Sequence, residues 1–312
     1  MSGPLGAAVV VPTWQRAEAL GACLAGLARQ SCPPDEVLVI TRASDLAAQE
    51  VVARFAERGI PARTVRVEAG GHVAALNAGL DAAQAAIVAI TDDDAVPRSD
   101  WLERIVRHFE SDPALTGVGG RDLVYLRHRP VVASAARVGM VAPYGRVVGN
   151  HHIGRGGPRA VDVLKGVNMS FRRAHLDGAR FDERLRGTGA QVHNDLAFSL
   201  QLRRRGCLLL YDPQVLVDHY PAQRHDEDQR DAFNPLALEN ASFNEALALL
   251  DYLRWPQRAL YLGWAMIIGI GVAPGLLQGL RLLLRRDPDA IVKLRSATRG
   301  RMLGAAAWIR RR

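Results

Sequence analysis

An α/β fold, with a mostly parallel sheet covered by helices on both faces, is predicted by three features of the first part of the chain. Apolar runs of six or seven residues recur as AAVVVP (7–12), EVLVIT (36–41), ARTVRV (62–67) and AAIVAIT (85–91). Most lack strict polar–apolar alternation, which marks strands buried on both faces. Amphipathic stretches separate them, long enough for the helical crossovers that parallel neighbours require.

Those stretches predict helices over about 17–29, 46–58, 73–83 and 101–109. The segment 123–163, with YGRVVGNHHIGRGGPR at 144–159, carries turn signals and reads as loops and short strands. Order returns at VDVLKGVNMSFRR (161–173), then at a helix in DLAFSLQLRRRG (195–206) and a strand in CLLLYD (207–212). LALENASFNEALALLDYL (236–253) has helical period, and no internal repeat or low-complexity segment interrupts the pattern.

A chain of 312 residues suggests one large domain with an appendage. The net charge of +8 is not spread over it: residues 281–312 hold ten Arg and Lys against Asp287 and Asp289, which is +8. Removing them leaves 30 basic and 30 acidic residues, so the body is neutral and its charge gives no reason to expect nucleic acid. Lys165 and Lys293 are the two lysines in an arginine-rich chain. Cys23, Cys32 and Cys207 have no C-x-x-C spacing, so neither a zinc site nor a disulfide framework is indicated. No signal-peptide pattern opens the sequence, and the body is expected on the cytosolic side.

Residues 259–284, ALYLGWAMIIGIGVAPGLLQGLRLLL, hold 22 residues before the first charge at Arg281, where about 20 suffice to span a bilayer. Pro274 divides the run, and a single span would put the basic tail outside, against the positive-inside tendency. The expectation is therefore an in-plane or re-entrant helical hairpin broken at Gly271–Pro274, with tail 285–312 on anionic lipid, at the cytoplasmic face of the cell membrane. A helical pair packed on the body, or an oligomer contact, is the alternative.

In parallel α/β sheets, ligands bind beyond the carboxyl ends of strands. Asp92, Asp93 and Asp94 stand at such an end. Turn or capping duty accounts for one aspartate but poorly for three, since adjacent carboxylates repel. A divalent cation would offset the repulsion, and Mg²⁺ characteristically combines one or two carboxylates with phosphate oxygens. An EF-hand count would put Pro97 where glycine is required, which excludes that use. PTWQR, after the first strand, has no Gly-rich phosphate loop; this excludes a dinucleotide-binding dehydrogenase and weighs against a sugar nucleotidyltransferase.

VVVPTWQRAEALGACLAGLARQSCPPDEVLVI, GHVAALNAGLDAAQAAIVAITDDDAVP and GVNMSFRR resemble, in this order, blocks of family 2 glycosyltransferases of the GT-A fold, over about residues 7–225. The resemblance implies a nucleotide-sugar half over about 1–122, an acceptor half over 123–235, and C-terminal helices from 236 to 312. It implies that Pro12, Thr13, Arg16 and Asn77 bind the donor nucleotide. Asp92 and Asp94 resemble the D-x-D pair, with Asp94 on Mg²⁺ or Mn²⁺ and Asp92 toward the ribose or the metal, and Asp93 falls on the donor side. Counting back from Gly206 in NDLAFSLQLRRRG puts Asp195 at the family's base, whose other reading is a helix cap; both can hold at once. His219, in VLVDHYP, matches a metal or diphosphate ligand, and Gly166, Asn168 and Asn194 fall on the acceptor side. Asp122, His193 and Arg224 are weaker candidates.

Two departures stand out. VITRASDL puts Thr41 and Arg42 where the resemblance implies an acidic reader of the base, with Asp45 as its positional substitute; Asn194, Ala197 and Gln201 replace the usual Glu, Asp and Arg. The implied activity is metal-dependent, inverting transfer of a sugar from a nucleoside diphosphate to a lipid-linked or cell-envelope glycan. A non-catalytic, membrane-bound partner subunit is the competing reading.

Overall fold

The computed structural model describes residues 5–127, 129–224, 226–229 and 232–310. The chain runs β1 (Ala7–Pro12), α1 (Ala17–Leu27), β2 (Glu36–Arg42), α2 (Leu46–Ala56), β3 (Ala62–Val67), α3 (His72–Ala82), β4 (Ile87–Thr91), β5 (Ala95–Pro97) and α4 (Trp101–Ser111). There follow β6 (Leu115–Leu126), β7 (Arg129–Pro130), β8 (Met140–Val141), β9 (Val147–Val148), β10 (Arg159–Ala160), β11 (Asn168–Arg172), α5 (Asn194–Arg204) and β12 (Leu208–His219). Four helices close it: α6 (Pro235–Tyr252), α7 (Trp255–Ile267), α8 (Leu276–Leu284) and α9 (Ala290–Arg310).

The main sheet has the order β10-β12-β6-β11-β4-β1-β2-β3, with β5 on β12 and β7 on β6. The β3-β2-β1-β4 half is parallel, as the apolar runs predict, whereas β11 lies antiparallel between β4 and β6. The side-chain period of two divides each strand between two cores. Val9, Val11, Val37 and Val39 face α1, α2 and α4, and Ala8, Val10, Leu38 and Ile40 face α3, α5 and α6. α4 buries Trp101, Leu102, Ile105, Val106 and Phe109, the i, i+4, i+8 stripe of an amphipathic helix. α3 approaches β1 closely: a Cβ on Gly79 would collide with the Val10 side chain.

The C-terminal helices divide unexpectedly. Phe243 and Leu247 of α6 complete the core beneath the sheet, joined by Leu303, Ala307 and Trp308 of α9. The expected basic tail is therefore largely a packed helix, and Arg301 is 1% exposed; Arg311 and Arg312 lie outside the described residues. Arg301 donates to the carbonyls of Ala265 (2.7 Å), Ala273 (2.6 Å) and Pro274 (3.0 Å), and so closes the turn between α7 and α8. That turn, with a bridge between Gly269 and Pro274, breaks the apolar run close to the expected place. α7 and α8 have 13 and 9 residues, and among the described residues no helix is long and apolar enough to cross a membrane.

Candidate active site

A cavity of about 690 Å³ opens where the carboxyl ends of β1, β2 and β4 meet the start of α5. The parallel strands deliver Pro12, Thr13 and Asp92–Asp94 to one side. β11, paired antiparallel with β4 so that Asn168 opposes Thr91, brings Lys165 and Gly166 to the other. β5 pairs with β12 with Ala95 opposite His219, and Tyr220 N–H donates to Asp94 O at 2.8 Å, which sets His219 beside Asp94.

The three aspartates have separate surroundings. Asp93 is 2% exposed; it accepts from Thr13 Oγ1 at 2.8 Å and from Arg16 Nη1 at 2.9 Å. Burial pushes its carboxyl up to about 6, with the Asp94 charge adding to the rise and Arg16 and Thr13 opposing it. Asp94 accepts from Ala222 N–H at 2.9 Å, and its Oδ1 stands 3.3 Å from His219 Nε2. Asp92 Oδ1 is buried with no hydrogen-bond partner among the described residues.

Behind them lies a group of which the sequence offered Asp122 and His219 as candidates, but not Lys165. Asp122, 0% exposed, accepts from Lys165 Nζ and lies 3.3 Å from His219 Nδ1. Burial by itself would raise the Asp122 carboxyl; the bonds from His219 and Lys165 reverse this and hold it below the usual carboxylate range. Burial disfavours the His219 imidazolium, but Asp122 and Asp94 bracket the ring and raise it to about 9. Lys165 did leave a signal, as one of two lysines in the sequence.

Across the cavity, Asp195 stands in the first turn of α5. Its Oδ2 accepts from Gly166 N–H at 3.1 Å and its Oδ1 from Leu196 N–H at 2.8 Å. The carboxylate is thus held by backbone while lining the cavity. Asn194, His193 and Arg224 line it too, the last paired with Asp228.

Three expected site residues are committed elsewhere. Asp45 caps α2, accepting from Ala48 N–H (3.2 Å), Gln15 N–H (2.6 Å) and Thr41 Oγ1 (3.3 Å). Asn77 clamps the backbone of Phe181 through both side-chain ends. Asn168, 1% exposed, accepts from Trp101 Nε1 and donates to Val215 O, so it fastens α4 and β12 to the sheet rather than facing the cavity. A buried amide or carboxylate must find partners, and here backbone and two neighbouring side chains supply them; the motif gives the residue but not the direction of its side chain.

The donor set suits a hard divalent cation. Asp94 Oδ1 and His219 Nε2 converge, and Asp92 Oδ1 is a buried oxygen lacking a partner. Among the described residues no group of three or more His, Cys, Asp or Glu is arranged to hold a metal ion by itself. A cation here would need phosphate oxygens and water as its remaining ligands.

The α/β sheet carries an acidic cluster at the end of its fourth strand and a carboxylate across the cavity, as the resemblance to a GT-A type fold implies. Residues 4–233 match the model described as "Glycosyltransferase like family 2", and the chain belongs to that family. Glycosyltransferase AglE of Haloferax volcanii is 31% identical over 99 residues, 31% of this chain and 33% of the relative, so the match spans about a third of that protein. Among solved structures, S. aureus TarS 1–349 in complex with UDP-GlcNAc superposes with a TM-score of 0.61 at 17% identity, covering 93% of this chain and 79% of the other. The mannosyltransferase PcManGT from Pyrobaculum calidifontis, in complex with GDP-Man and Mn²⁺, gives 0.56 at 18% identity, covering 99% and 88%. These two likenesses show the fold.

Proposed function

We propose that this protein transfers a sugar, with inversion, from a nucleoside diphosphate sugar to a hydroxyl of a lipid-linked or cell-envelope glycan. The observation that carries the proposal is one cavity with the Asp92–Asp94 cluster on one wall and the backbone-held Asp195 on the other. Asp195 accepts the proton of the acceptor hydroxyl. That oxygen forms the new bond to the anomeric carbon as the bond from this carbon to the diphosphate breaks, a single displacement. Gly166 N–H and Leu196 N–H keep the carboxylate aimed. Asp92 and Asp94, with His219 beside them, would offer a seat for Mg²⁺ or Mn²⁺, which together with phosphate oxygens and water would supply Lewis-acid stabilisation of the departing diphosphate. Arg16 and Thr13, fixed on Asp93, shape the donor side.

We assign the acceptor a membrane setting on the strength of α7 and α8. Leu276, Leu277, Leu280, Leu283 and Leu284 are 45–77% exposed, beside exposed Arg281, Arg285 and Arg286. An apolar face rimmed by arginine suits the interface of an anionic bilayer, with the helices lying in its plane. Purified protein should float with phosphatidylglycerol vesicles, and the L276S/L280S/L284S variant should not; equal flotation of both would remove the hairpin from that role.

The enzymatic test is release of nucleoside diphosphate from a panel of nucleotide sugars with Mg²⁺ or Mn²⁺ and extracted membrane lipid. Release that depends on lipid supports transfer. No release from any donor would favour the non-catalytic partner reading instead.

A further inference from the structure

We propose that the nucleotide end of the cavity selects guanine, through the guanidinium of Arg42; this rests on the nucleotide-sugar reading above. The cavity wall farthest along the parallel half of the sheet comes from the ends of β1, β2 and β3, and includes Trp14, Thr41, Arg42, Val67 and Ala69. Arg42 holds its guanidinium carbon 4.2 Å from the centroid of the Trp14 ring. The contact is a cation–π one, so it uses the face of the group and leaves the N–H edge for another partner. Among the described residues that edge makes no hydrogen bond and no ion pair, although nearly all the other charged groups of the cavity are engaged. Gly70 provides the space it occupies, since a Cβ there would collide with Arg42 Nη2.

Two carboxylates near this wall are committed elsewhere. Asp45 is consumed by Gln15, Thr41 and Ala48, and Asp226 by Ala190 N–H (2.7 Å) and Asp228 N–H (2.9 Å). At Arg42 the edge of the base meets a group that only donates. A uracil or thymine imide presents an N–H between two carbonyls, which calls for an acceptor, and Arg42 would confront that N–H with its own. Adenine sets a donor amine beside N7. Cytosine has two adjacent acceptors, but one is next to the glycosidic bond, on the side turned toward the ribose. Guanine presents O6 and N7 together on its outer edge, the pair that a guanidinium fork matches with two bonds. Such a match is worth roughly ten- to a hundredfold in affinity.

The experiment is calorimetric titration of the full chain, with Mg²⁺ present, by GDP, UDP, dTDP, CDP and ADP. GDP should bind roughly ten- to a hundredfold more tightly than the others. In R42A the ratio of GDP to UDP affinity should fall to near one, and in R42K it should fall as well, because an ammonium cannot fork. Far-UV circular dichroism of both variants controls for folding, and a loss of preference in either folded variant supports the inference. Tighter binding of UDP, CDP or any other diphosphate than of GDP overturns the guanine assignment and leaves the nucleotide-sugar reading standing. So does an unchanged GDP-to-UDP ratio in both variants. Failure of all five to bind overturns the nucleotide-sugar reading itself, and the guanine assignment with it.

Discussion

Replacing Arg301 by Met tests whether the C-terminal turn is held from inside the protein. The side chain is 1% exposed, and its guanidinium donates to three carbonyls, of Ala265 on α7 and of Ala273 and Pro274 in the turn. Met fills much of the same volume but donates nothing, so the carbonyls lose a cation at the end of a helix as well as three bonds. Charged hydrogen bonds contribute about 1.5–3 kcal/mol each, yet they do not add, and the mutation also relieves the cost of burying a cation. The expected net loss is about 3 kcal/mol. With about 2.1 cal/mol/K per residue of unfolding entropy, a 312-residue chain gives roughly 0.66 kcal/mol/K, and a fall in Tm of about 5 °C. Calorimetry reads the Tm, and amide exchange over 268–275 reads the turn. Arg301→Lys should fall between the two, since a point charge reaches fewer carbonyls. A Met variant with unchanged Tm and unchanged exchange would refute the reasoning, because solvent or neighbouring backbone would then be satisfying those carbonyls.

Asp195→Asn should reduce turnover by about 10²–10⁴-fold, the usual contribution of a general base, while calorimetry finds nucleoside diphosphate affinity unchanged. Asp94→Ala should abolish the additional rise in Tm that Mn²⁺ gives in the presence of nucleotide, as should stripping the metal with EDTA; thermal-shift measurements read both. Gly79→Ala forces a methyl into the Val10 side chain and should destabilise by about 1–3 kcal/mol in urea titrations. The Asp212 carboxyl lies 2.8 Å from His108 Nε2. Burial would raise it, but bonds from His108 and Gln214 N–H lower it below its ordinary value. A depressed carboxyl stabilises the fold above its unfolded pKa and loses that contribution as the pH falls through the folded one. The stability gap between wild type and Asp212→Asn should therefore be full near pH 6 and shrink below about pH 4, as followed by urea titration at each pH.

Much of the fold can be read directly because strand and helix periods are local. AAVVVP, EVLVIT and AAIVAIT mark β1, β2 and β4 without any knowledge of their neighbours. The antiparallel insertion of β11, and the short β5 that pairs with β12, are pairings between distant segments, and no local period encodes them. The site divides the same way. Asp92–Asp94 and Asp195 are recognisable because charge at a strand end or helix start is conspicuous. The pairing of Lys165 with Asp122 is not, since it exists only once β6, β11 and β12 lie side by side.

Asn77, Asn168 and Asp45 show the converse: their places in the motifs are legible, but their side chains turn to backbone carbonyls and amides that folding brings near. By itself the sequence determined the α/β pattern, the acidic strand end and the break in the apolar run, all properties of neighbours along the chain. The tertiary structure alone decided which charges face the cavity and which are interior. It turned a basic tail into a packed helix with Arg301 at its centre, because burial and hydrogen-bond partners depend on contacts between residues far apart in sequence.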